Sequence, residues 1–200
     1  MIFKLKTLLH IFTFSFALFI SACNESISIQ INKGYKLQEQ GKYKEAIDVY
    51  SAVIKKNSKI QEAYYQRGYC FQQIGKFDNA LWDYNTVIEM KGGENILFEY
   101  IPNKNLPFVT EDDPDQFTVF FTEVRYQRGI TNFSKDSLKS SFEDFKYCIN
   151  NNYLKGSSYL WIGTIYNKYN IKEKACEYFY KAKNLNEEEA DEFIKTYCPK

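Results

Sequence analysis

The chain has 200 residues, 26 of them Lys or Arg and 25 Asp or Glu, for a net charge of +1. So even a balance gives no electrostatic case for a nucleic-acid partner. There is one histidine, His10, so imidazole-based catalysis and His-containing zinc sites have almost nothing to be built from.

The first segment is read apart from the fold. Lys4 and Lys6 give a basic start, Thr7 to Phe19 is a mostly apolar run, and Ser21-Ala22 places small residues before Cys23. That order predicts a secretory signal over residues 1–22. Ile20-Ser21-Ala22-Cys23 resembles the bacterial lipoprotein processing box, and the resemblance implies a lipid on Cys23, with residues 23–26 as a short linker. Asn24 is not the aspartate that marks inner-membrane retention in such lipoproteins, which implies the outer membrane. Removing residues 1–22 takes Lys4, Lys6 and His10 with it and leaves 24 basic against 25 acidic side chains. A chain without histidine has no Ser-His or Cys-His pair for nucleophilic catalysis.

From residue 27 the chain repeats. Gln61 to Met90 holds two apolar-periodic segments, about Glu62 to Ile74 and Phe77 to Met90, on either side of Gly75. A shift of 34 residues lays Gly34, Gly41, Ala46, Tyr50, Val53 and Ile54 on Gly68, Gly75, Ala80, Tyr84, Val87 and Ile88. Tyr65-Gln66-Arg67-Gly68 returns as Tyr126-Gln127-Arg128-Gly129, followed in register by Ser141, Phe145, Cys148 and Ile149. A fourth copy keeps Gly163, Tyr166, Ala175, Phe179 and Ala182. Asp136 replaces the turn glycine in the third copy, and Asp tolerates the left-handed conformation better than most residues. The predicted copies are 27–60, 61–94, 122–155 and 156–186, with a capping helix at 187–198.

Gly68, Gly75, Ala80 and Tyr84 stand where the tetratricopeptide repeat has its small residue, turn glycine, alanine and aromatic, and the chain resembles that family. The resemblance implies an all-α, right-handed superhelical array of about four helical hairpins plus the capping helix. It implies a protein that binds a protein or peptide partner; with no histidine after residue 22 and no paired-acid motif on a rigid element, no cofactor and no enzyme activity are expected. Alternatives are a scaffold subunit of an outer-membrane assembly or export machine, using its outer faces, and, in another class, a glycan-binding or enzymatic accessory protein.

In this family the inner wall is built from set positions of the first helices. Here those positions hold Ile31, Tyr35, Tyr65, Tyr69, Gln72, Gln73, Tyr126, Ile130, Phe133, Leu160, Thr164 and Asn167. Tyrosines join contact area to a polar tip, which suits a peptide groove, and Tyr65, Tyr69 and Tyr126 are the expected anchors; close packing of the same rings is the competing reading. The lysine and asparagine clamp for a C-terminal carboxylate has no match here.

Arg67 and Asp83 lie 16 residues apart, as do Arg128 and Asp144, which predicts an ion pair across each of the two hairpins. The insertion at 95–113 carries Pro102 and Pro107 among many apolar residues and is expected to pack on the array. Asp113-Pro114-Asp115-Gln116 reads as a helix start, so the next helix is expected to begin near Pro114. The acids from Glu111 to Asp115 lack the ligand spacing of a calcium loop, so no metal is expected. Cys176 and Cys198 stand at similar distances on either side of the last turn and are expected to form a disulfide. Cys70 and Cys148 are expected to be buried thiols.

Overall fold

The computed structural model of the chain describes residues 25–90 and 119–198. Cys23 and the insertion at 95–113 lie outside them. Among the described residues there are nine helices and no strand: α1 (Ile27–Glu39), α2 (Tyr43–Lys56), α3 (Gln61–Gln73), α4 (Phe77–Met90), α5 (Phe121–Ser134), α6 (Leu138–Asn150), α7 (Lys155–Lys168), α8 (Lys172–Lys183) and α9 (Ala190–Tyr197). Each helix packs on its neighbours in sequence, so the molecule is a row of antiparallel hairpins, α1 with α2 through α7 with α8.

Each hairpin turns the same way. Gly41 and Gly75 take φ of 70° and 74°, and in the later copies Asp136 and Asn170 hold the same left-handed conformation at 60° and 58°. The next amide reaches back to close the helix end in all four: Lys42 to Leu37, Lys76 to Phe71 and Ser137 to Asn132 at 2.8 Å, and Ile171 to Tyr166 at 3.0 Å. This is the αL-capped stop that glycine, or a short polar residue, makes accessible.

One notch is cut into each pair. The glycine midway along the first helix admits an aromatic ring from the second: a Cβ on Gly68 would lie 2.9 Å from the Tyr84 ring, and one on Gly129 would lie 3.0 Å from the Phe145 ring. Tyr50, Tyr84, Phe145 and Phe179 occupy this place in the four copies with no solvent exposure. Burying such a ring stabilises by about 1.5–3 kcal/mol, four times over along the row. Ser141 stands where Ala46, Ala80 and Ala175 stand elsewhere, and its hydroxyl donates to the Gly129 carbonyl at 2.9 Å, so it is buried without an unsatisfied group.

The row continues across the insertion. Val119, Phe121 and Val124 share one apolar cluster with Tyr64, Tyr65, Tyr84, Val87 and Ile88 of the hairpin before it. Here the expected helix start near Pro114 needs correction. Phe120 is extended (φ −69°, ψ 128°) and α5 begins at Phe121. An extended step lets Val119 and Phe121 both turn into the core, where each is under a tenth exposed. Pro114 itself lies outside the described residues.

The last hairpin is covered by α9, which begins at Ala190, after Asn186 turns the chain at φ 58°. Ala190, Phe193 and Ile194 close over Leu160, Phe179 and Ala182. A disulfide between Cys176 and Cys198, with Cα atoms 5.7 Å apart, ties α9 to α8.

Candidate functional site

First helices approach one another along the row, α3 touching α5 as well as its own partner, so they line the inner side. Two of the expected wall residues reach from one repeat to an acid of the next. The Tyr35 hydroxyl donates to the Glu62 carboxylate, which also accepts from Gln66 Nε2 at 2.9 Å. The Tyr65 hydroxyl donates to Glu123 at 2.7 Å. Glu62 and Glu123 hold the same register, six residues before Gly68 and Gly129, and Ser157 holds it before Gly163. Ser157 in turn donates to Glu187 at 2.9 Å. Burial pushes the Glu62 carboxyl above its ordinary range, against the pull of Tyr35 and Gln66. The Tyr65 phenol is pushed far up, first by burial and then by Glu123.

These bonds change what the wall can offer. Tyr65 is 5% exposed, so its ring presents little surface to a ligand and serves as a link between repeats two and three. Tyr126 packs edge-on against Phe145 and Tyr153 and accepts a hydrogen bond from Trp161 at 3.2 Å. Phe133 lies edge-on to Trp161 with centroids 5.1 Å apart. Ile130 packs into the same cluster. Gln72 accepts from the Tyr84 hydroxyl at 2.8 Å and donates to Gln127 at 3.5 Å. Of the expected groove set, Tyr69 and Asn167 make no side-chain hydrogen bond among the described residues, and both are half-buried. Tyr69 is therefore the ring best placed to meet a ligand.

The arginines tie the second side of the row. Arg67 makes two bonds to Asp83, at 3.0 and 2.7 Å, and its remaining nitrogen donates to Ser51 at 3.1 Å. Arg128 repeats this on Asp144, at 2.9 and 2.6 Å, and donates to Asn85 at 2.7 Å. Ser51 and Asn85 are 34 residues apart, one repeat. Each arginine thus clamps its own hairpin and reaches back to the one before. Asp144 takes a second cation, Arg125, at 3.1 Å, and a bond from Asn132 at 3.2 Å. Burial pushes the Asp83 carboxyl up while Arg67 pulls it back.

A helix pair with an αL turn, a glycine notch and a buried aromatic, repeated in register, is specific enough to compare with known proteins. The family model for the tetratricopeptide repeat matches residues 61–93. The chain folds as a tetratricopeptide-repeat array. Among solved structures, a form of MamA from Desulfovibrio magneticus RS-1 superposes with a TM-score of 0.61 at 13% identity, over 87% of this chain and 94% of that one. A MamA double mutant gives 0.61 at 15% identity over 81% and 76%, and a further MamA structure 0.58 at 18% over 84% and 88%. At these identities the likeness is one of fold. No curated protein matches the sequence.

Two features that the repeat pattern did not single out complete the site. The acids at the Glu62 and Glu123 register stand three residues before the shared Tyr-Gln-Arg-Gly phrase and were visible had that phrase been extended backward. Arg125 had no copy in repeat two, where Tyr64 stands, so no internal comparison pointed to it. Cys70 and Cys148 are buried, and burial pushes both thiols up to about 12, so they are poor nucleophiles. Among the described residues no group of three or more His, Cys, Asp or Glu side chains could hold a metal ion, and no helix is long and apolar enough to cross a membrane.

Proposed function

We propose that this tetratricopeptide-repeat chain is an envelope lipoprotein, anchored through Cys23 at the outer membrane, that binds a segment of a partner protein along its inner wall and catalyses no reaction. The observation that carries the reading is the wall itself: first helices tied edge to edge, with Tyr69 half-buried and its hydroxyl uncommitted beside the amides of Gln72 and the exposed Gln73. An aromatic ring with a free polar tip, flanked by amides, suits an extended or helical segment with backbone groups to satisfy.

A second reading rests on Trp82, which is 59% exposed on α4 with Tyr64 at 6.1 Å and the Arg67 guanidinium at 6.0 Å. An exposed Trp beside Arg is what interface hot spots are made of, and it favours a scaffold that uses its outer faces. Photocrosslinking in cells separates the two, with a probe at Tyr69 and another at Trp82. A discrete partner captured from Tyr69 and not from Trp82 is the expected result. Capture from Trp82 alone would favour the scaffold, and crosslinks from Tyr69 to residues 96–109 of the same chain would mean that the wall is filled from within.

A further inference from the structure

The first repeat differs from the others in how its cations are used. Between Glu25 and Ile60 there are seven lysines and four acids, whereas Gln61 to Met90 has two basic residues and four acids. All seven lysines are exposed. None of them is in an ion pair among the described residues; every such pair involves residues from Arg67 onward, and Lys135, Lys168, Lys174, Lys181 and Lys183 are all paired. Six later lysines among the described residues, Lys76, Lys139, Lys146, Lys155, Lys172 and Lys195, are also outside ion pairs, so the unpaired lysines are densest in the first repeat, seven within residues 25–60.

Three of them stand together. Lys55 and Lys56 end α2 and Lys59 follows in the loop to α3, and α2 runs antiparallel to α1, so they share an edge with the start of α1. The Lys56 ammonium donates to the Glu25 carbonyl at 3.0 Å, which fixes that edge beside the entering chain. One turn into α1, Ile29 is 52% exposed, and Lys33 follows on the same stripe one turn later. An apolar side chain set among unpaired lysines is the composition of a surface that meets lipid headgroups. An acidic protein would be served by the lysines alone and would leave Ile29 unexplained. Glu25 follows Cys23 by two residues in the sequence.

We propose that the edge formed by Lys55, Lys56, Lys59, Lys33 and Ile29 lies on anionic lipid, so that the first hairpin stands with its open end on the membrane. The orientation rests on the lipid-anchor reading, whereas the lipid-binding edge stands on the lysines themselves. It gives the anchor a direction: the hairpin turns at Gly41, Gly75, Asp136 and Asn170 would point away from the bilayer.

The test uses the full chain with vesicles of phosphatidylcholine alone and with vesicles of phosphatidylcholine mixed with phosphatidylglycerol. Lysines are acetylated with a water-soluble reagent and read by mass spectrometry. The expected result is protection of Lys55, Lys56, Lys59 and Lys33 on the anionic vesicles, with the vesicle affinity falling about fivefold for each lysine replaced by glutamine and the protection fading at high salt. Lys139 and Lys172, at the hairpin-turn edge, should label equally on both. Attachment to both kinds of vesicle with identical labelling would overturn the proposal and leave the anchor standing. Failure to attach to phosphatidylcholine would remove the anchor; attachment to the anionic vesicles with the same protection would then still support the lysine edge, and no attachment to either would overturn both.

Discussion

At the scale of single residues, the array is held by a few polar contacts whose value comes from burial. Asp83 is fully buried and held at both oxygens by Arg67, which is 14% exposed. Arg67→Ala should therefore leave a buried carboxylate without its cation and destabilise by about 3 kcal/mol, more than the intact pair contributes; urea denaturation checks this, and a loss under 1 kcal/mol would show that the pair is ordinary surface electrostatics. Glu62 makes a different prediction. Its carboxyl is raised above the ordinary 4.5, so the folded chain takes up a proton before the unfolded chain does. The stability owed to this site grows as pH falls toward 4.5 and is lost as pH rises through the folded-state value. Denaturation midpoints of Glu62→Gln, measured against pH, should lack that slope; an unchanged slope would assign it to another acid. The sixteen-residue spacing made the Arg67 and Arg128 pairs legible in the sequence. The Tyr65 bond to Glu123 was not legible, because it spans 58 positions and an insertion whose path no pattern specifies.

At the scale of elements, the hairpins were the most readable part of the chain. Their turns, notches and buried rings recur at fixed spacing because each is a local steric requirement. Helix ends were less readable where tertiary contacts decided them. Asp113-Pro114 has the chemistry of a helix start, but α5 waits until Phe121, because burying Val119 and Phe121 together needs an extended step between them. The wall left two readings open for a similar reason. Tyrosine at a groove position can face a ligand or a neighbouring helix, and only the position of the next repeat tells Tyr65 from Tyr69. The terminal helix is short, eight residues, and an isolated helix of that length is unstable in water. Its hold comes from Phe193 and Ile194 and from the disulfide. Cys198→Ser should cost roughly 3 kcal/mol, with faster amide exchange confined to α9 and the end of α8. Exchange that also rose in α3 would contradict the local role given to this bond.

At the scale of the molecule, the inner wall exists only if repeats two and three stay docked across residues 91–118. Among the described residues the docking has five parts: the cluster of Val119, Phe121 and Val124 with Tyr64 and Tyr84, the bond of Tyr65 to Glu123, the bond of Gln72 to Gln127, the reach of Arg128 to Asn85, and the pairing of Lys135 with Asp78. In a linear array stability is a sum of repeat and interface terms, so a weak interface would let the two halves open separately. Native-state hydrogen exchange in low denaturant tests this most directly. If the wall is one continuous surface, the slowest amides of α3 and α5 will open together with one free energy and one denaturant dependence, and Arg128→Ala will lower both. Two separate openings, with α5 unaffected by a change in α3, would mean that the halves are independent modules and that no wall runs between them.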